Sequence, residues 1–144
     1  MNQILALDYG FKRTGIAFAE SPLFIAHALK TVKTNDLLIF IENHLVKNKV
    51  AKIVIGEPKS LLGEKTHSSD MIQNFFQRIT KSFPEIEIKL YDERFTSKIA
   101  MQTILDSGIK KMKRRNKETL DEIAAVIILQ DYLKYEEFQR SSNT

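Results

Sequence analysis

Residues 3–20 read QILALDYGFKRTGIAFAE. Two apolar runs, 3–9 and 15–20, flank the segment GFKRTG, whose two glycines suit the turn of a β-hairpin. A third strand is expected at 25–32, after the turn at Ser21-Pro22. Beyond it the apolar spacing changes. Thr34 or Asn35 can cap a helix that carries Leu37, Leu38, Ile41 and Leu45 on one face. KIVIG (52–56) is a short apolar run bounded by turn signals, as expected of a buried strand. The polar stretch EPKSLLGEKTHSS leads into a helix starting at Ser68 or Ser69, with Ile72, Phe75, Phe76, Ile79 and Phe83 at helical spacing. IEIKLY (86–91) alternates like a strand with one face buried. A short helix from Thr96 or Ser97 to near Gly108 follows, then a long helix opened by the capping-box pattern Thr119-x-x-Glu122. The order β-β-β-α-β-α-β-α-α predicts an α/β fold. Its mixed five-stranded sheet would hold three antiparallel strands and then two βα crossovers, with helices on both faces.

A chain of 144 residues with 43% hydrophobic content has enough apolar material for one ordinary core, so a single domain over 1–139 with a flexible tail at 140–144 is expected. No apolar run approaches the ~20 residues that span a bilayer. The N-terminus has no basic leader, and Asp8 interrupts its apolar run, so it does not read as a signal peptide. A cytoplasmic protein with no membrane partner is the expectation. The absence of cysteine excludes disulfides and thiolate metal sites. Net charge is +4, but Lys110, Lys111, Lys113, Arg114, Arg115 and Lys117 form one dense basic run, and the rest of the chain is slightly acidic. Such a run is commonly a solvated loop; its place just before the last helix also suits a grip on a polyanion.

Three acids stand where chemistry can use them. Asp8 ends the first strand, Glu93 follows the strand IEIKLY, and Asp121 opens the last helix. Carboxylates gathered at one pocket repel and are best tolerated around a divalent cation, which points to metal-assisted phosphodiester cleavage. Each has a plainer reading. Asp8 can accept N–H groups of its own turn, Asp121 can stabilise a helix N-terminus, and Asp92 competes with Glu93 because adjacent residues of a strand face opposite sides. If Ile86, Ile88 and Leu90 face a core, alternation puts Asp92 with them and Glu93 with Lys89 and Tyr91. The Ala124-Ala125 pair would let the last helix lie close to the sheet and aim Asp121 at the strand ends. Lys12 and Arg13 in the first turn, and Arg94 after the acid pair, are candidate phosphate contacts. His67 can assist acid–base chemistry, while His27 and His44 read as structural or solvent-facing.

Four blocks in order, LALDYGFKRTGIAFAE, IVIGEPKSLLG, YDERFTS and the basic run followed by LDEIAAVIILQDYL, resemble the YqgF family, also called RuvX. The resemblance covers nearly the whole chain. It implies an RNase H-like fold and a nuclease that processes the 5′ end of the 16S ribosomal RNA precursor, or one like the Holliday-junction resolvases. Asp8, Glu93 and Asp121 would hold Mg²⁺ or Mn²⁺. The partner would be a structured RNA precursor or branched DNA, and the protein a monomer or homodimer. Two departures stand out: Glu20 where the family has Asp at the end of the second strand, and Glu57 where it has an apolar residue, adding negative charge near a face that should receive phosphates. Two other readings compete. A non-catalytic assembly factor would keep the basic run but gains nothing from acids that repel phosphate. A sugar-kinase-like protein shares the D-x-G-x-x-x-x-G hairpin but needs a second copy of the fold, which one domain of this length does not contain.

Overall fold

β1 (Asn2–Tyr9) is the central strand of the sheet, and it is apolar on both faces for that reason. It pairs antiparallel with β2 (Arg13–Glu20), which pairs antiparallel with β3 (His27–Lys33). On its other side β1 runs parallel to β4 (Lys49–Glu57), and β4 parallel to β5 (Glu87–Asp92). The order β3-β2-β1-β4-β5 is the expected mixed sheet of three antiparallel strands and two crossovers. A computed structural model describes residues 2–57, 67–92 and 117–142. The expected helix from Thr96 or Ser97 to Gly108 lies outside the described residues.

α1 (Leu37–Lys47) and α2 (His67–Ser82) cover one face. There Leu5, Leu7, Ile16, Ile53 and Ile55 pack with Leu37, Ile41, Ile72, Phe75 and Ile79. α3 (Lys117–Ser142) covers the opposite face, where Ile4, Ala6, Ala17, Ala19 and Val54 meet Ala125, Ile128, Leu129 and Tyr132. The small side chains Ala6, Ala17 and Ala19 belong to the sheet itself, so close approach of α3 is built into both partners. At the far end of the helix, Lys52 on β4 donates to Tyr132 Oη at 2.8 Å and to Glu136 Oε1 at 2.5 Å, which fixes α3 along the sheet. Among the described residues no helix is long and apolar enough to cross a membrane.

Three local expectations change. The second strand starts at Arg13, two residues before the expected Gly15, so Gly15 lies inside β2. Thr34 does not cap α1: a 3-10 turn at Thr34–Asp36 precedes that helix, and the Thr34 hydroxyl donates to the Gly10 carbonyl at 2.6 Å. With Thr34 N–H on Lys12 O at 3.0 Å and Thr14 Oγ1 at 2.9 Å from Thr34 Oγ1, this clamps the Gly10–Lys12 turn. α3 is already formed at Lys117, ahead of the capping box, and it continues to Ser142, past the expected start of the tail.

Candidate active site

The two faces of the sheet assign the acids. On β1, Leu5 and Leu7 belong to the α1/α2 core and Ile4 and Ala6 to the α3 core, so Asp8 lies on the α3 face. Its neighbour across the hairpin is Gly15. A Cβ on Gly15 would sit 2.0 Å from the Asp121 carbonyl oxygen and 2.3 Å from its carbon, far inside contact distance. The missing side chain therefore lets the first turns of α3 rest on β2 at the register of Asp8, which brings Asp121 to the same place. Asp121 is a full turn inside α3, and among the described residues a side chain supplies its counter-charge. Arg13 Nε donates to Asp121 Oδ2 at 2.8 Å.

Asp8 is held reluctant to ionise. Burial, and then the charge of Asp121, push its pKa up from 3.8 to about 6. Two carboxylates forced together beside one guanidinium fit a small hard cation, which takes oxygen donors and whose charge would return Asp8 to its carboxylate form. Among the described residues no group of three metal-ligating side chains occurs; the expected third ligand, Glu93, lies outside them.

Strand parity also settles the two departures in sequence. Glu57 follows Ile53 and Ile55 on the α1/α2 face, where it is buried and Gln73 Nε2 lies 3.5 Å from its Oε1. It does not add its charge to the Asp8 face, contrary to expectation. Glu20 is at the other end of the hairpin, opposite Gln3, and accepts a hydrogen bond from Gln3 Nε2 at 2.8 Å. On β5, Leu90 packs into the α1/α2 core and Tyr91 into the α3 core, as the alternation of IEIKLY required.

Of the other candidates, Lys12 is exposed in the turn beside Arg13. Arg94, Lys110, Lys111, Lys113, Arg114 and Arg115 lie outside the described residues. Lys117 is the first residue of α3, four positions before Asp121, and His67 the first of α2. His44 is structural: its Nε2 is 2.7 Å from Gln3 Oε1, and burial lowers its pKa. The contact of Gly15 with α3 and the clamp made by Thr14 and Thr34 escaped the sequence reading, which took Gly15 for a hairpin glycine and Thr34 for a helix cap. The second glycine of D-x-G-x-x-x-x-G was the available signal for the first of them.

The chain matches the RuvX family, described as Holliday junction resolvase, over residues 2–135. A protein of Flavobacterium psychrophilum named "Putative pre-16S rRNA nuclease" is 48% identical over 133 residues, covering 92% of this chain and 97% of that one. A Bacteroides thetaiotaomicron protein of the same name is 45% identical over 138 residues, 96% and 100% of the two chains. In fold, the chain is similar to the fowlpox virus Holliday junction resolvase, with a TM-score of 0.51 at 14% identity over 95% of this chain and 99% of that one. With the hairpin and sheet order in place and the match running over nearly its whole length, the chain belongs to the RuvX family.

Proposed function

We propose that this protein is a metal-dependent nuclease that hydrolyses phosphodiester bonds and trims the 5′ end of the 16S rRNA precursor, in the cytoplasm. The observation that carries the reading is the meeting of Asp8 and Asp121 on one face of the sheet, at a position that Gly15 keeps open. A cation held there, Mg²⁺ or Mn²⁺, supplies a water of lowered pKa and neutralises charge at the leaving oxygen. Asp8 and Asp121 bind it. Glu93 is the third ligand, a role supported by the parity with which β5 ends, Leu90 to one side and Tyr91 to the other. Lys12 and Arg94 contact phosphates near the acids. The basic run ahead of α3 holds the substrate's backbone. The relatives' names favour ribosomal RNA; the family description and the viral resolvase fold favour branched DNA as the second reading.

The choice is made by incubating the purified protein with a 5′-extended 16S precursor RNA, a four-way DNA junction and single strands, in Mg²⁺ or Mn²⁺. Shortening of the RNA at its mature 5′ end is expected. Preferential junction cutting, with two active sites in a dimer, would move the assignment to the resolvase reading.

The basic run has its own expected result. Replacing Lys111, Lys113, Arg114 and Arg115 with Ala should weaken RNA binding about equally for all sequences. It should also flatten the plot of log K against log salt by roughly 0.7–0.9 per lost contact, leaving turnover at saturating RNA intact. A filter-binding titration at several salt concentrations measures both, and an unchanged slope would make the run a solvated loop.

A further inference from the structure

Arg13 sits on β2 with the parity of Ala17 and Ala19, so it shares the α3 face with Asp8 and Asp121. Its contact with Asp121 is made by Nε, at the side of the guanidinium, and its side chain keeps 34% of its surface exposed. The contact shown uses one N–H donor of a guanidinium that can grip a carboxylate or a phosphate with two, so the half-exposed pair has a single bond to give up on exchange. Asp121 meanwhile lies close enough to Asp8 to raise its pKa. Among the described residues, the positive charge paired with these acids is therefore the Arg13 guanidinium.

We propose that Arg13 is an exchangeable counter-ion: it holds Asp121 until a divalent cation takes that carboxylate, and the released guanidinium then binds a substrate phosphate. This rests on the reading of Asp8 and Asp121 as metal ligands. Two consequences follow from charge. Arg13 competes with the cation for Asp121 and repels it, so without nucleic acid Arg13 weakens metal binding. Phosphate draws Arg13 away and relieves that competition, so substrate and cation favour each other's binding through this one side chain. An arginine that only orients Asp121 for the metal would do the opposite, because removing an outer partner of a ligand typically weakens metal binding by about 10–100-fold.

The sign of the change separates the two roles. Mn²⁺ affinity, read by the electron paramagnetic resonance of free Mn²⁺, is measured without nucleic acid for wild type, Arg13→Ala, Arg13→Gln and Asp8→Asn, each checked for folding by circular dichroism. Exchange predicts that both Arg13 variants bind Mn²⁺ tighter by about fivefold, the size that breaking a half-exposed ion pair supports. At saturating Mn²⁺ the same variants should show a higher KM for precursor RNA. Arg13→Lys should restore that KM poorly, since an ammonium cannot present the fork. Equal or weaker Mn²⁺ binding by the Arg13 variants, while Asp8→Asn still loses it, overturns the exchange and leaves the metal site standing. Mn²⁺ binding that Asp8→Asn does not weaken removes the metal reading, and the exchange with it.

Discussion

Asp8→Asn is expected to abolish cleavage and, in metal-free protein at neutral pH, to make the fold more stable. The two effects have one cause. The Asp8 pKa stands near 6 in the fold and at 3.8 when the chain is open. Folding therefore favours the protonated acid, and the charged form costs stability. That cost is absent below about pH 4, grows as pH rises to about 6, and is fully present above it. Its ceiling is about 3 kcal/mol, at roughly 1.4 kcal/mol for each tenfold change in proton affinity, and partial solvent access lowers it. Asparagine keeps the shape and removes the charge, so its stability advantage should be largest at pH 7.5 and vanish near pH 4. Loss of a cation ligand removes several kcal/mol of transition-state stabilisation, a rate loss on the order of 10³ or more. Urea melts at pH 4, 5 and 7.5, with a cleavage assay, measure both. A variant less stable than wild type at pH 7.5 would restore the plainer role of an acid accepting turn N–H groups. The structure already gives the turn another clamp in Thr34.

The second large effect belongs to a residue with no side chain. Gly15→Ala places a methyl group 2.0 Å from the Asp121 carbonyl oxygen, and a backbone atom cannot rotate aside. The first turns of α3 must lift from β2, moving Asp121 away from Asp8. Overpacking of this kind typically costs about 1–3 kcal/mol. A displacement of about an ångström at a reacting site is enough for a loss on the order of 10²-fold in rate. Thermal melting and turnover at saturating Mn²⁺ test this together. Wild-type values for both would mean that α3 does not rest on Gly15.

What the sequence disclosed and what it hid divide along a physical line. Hydrophobic period revealed the succession of strands and helices, the two crossovers and the opposite facing of Leu90 and Tyr91, because burial on a sheet face is written every second residue. It also marked Asp8 as a charge at the end of an apolar run. Features made by contact between distant segments stayed hidden. Gly15 reads as a turn residue until a helix more than a hundred positions later is seen lying on it. Thr34 reads as a cap until the Gly10 carbonyl is found beside its hydroxyl. Arg13 reads as a free phosphate contact until Asp121 is found 2.8 Å from it. Glu57 reads as a charge near the substrate until β4 parity sends it to α2.

The chemistry of the cut ends tests the central claim most directly. Hydrolysis by a cation-activated water at Asp8 and Asp121, with departure of the 3′ oxygen, leaves a 5′-phosphate and a 3′-hydroxyl. Attack by the RNA's own 2′-hydroxyl leaves a cyclic 2′,3′-phosphate and a 5′-hydroxyl. End-group analysis of precursor RNA treated with wild-type protein in Mn²⁺ should show 5′-phosphate and 3′-hydroxyl ends, with no product in EDTA or with Asp8→Asn. Cyclic phosphate ends, or cutting that persists in EDTA, would contradict a metal-dependent nuclease built on these acids.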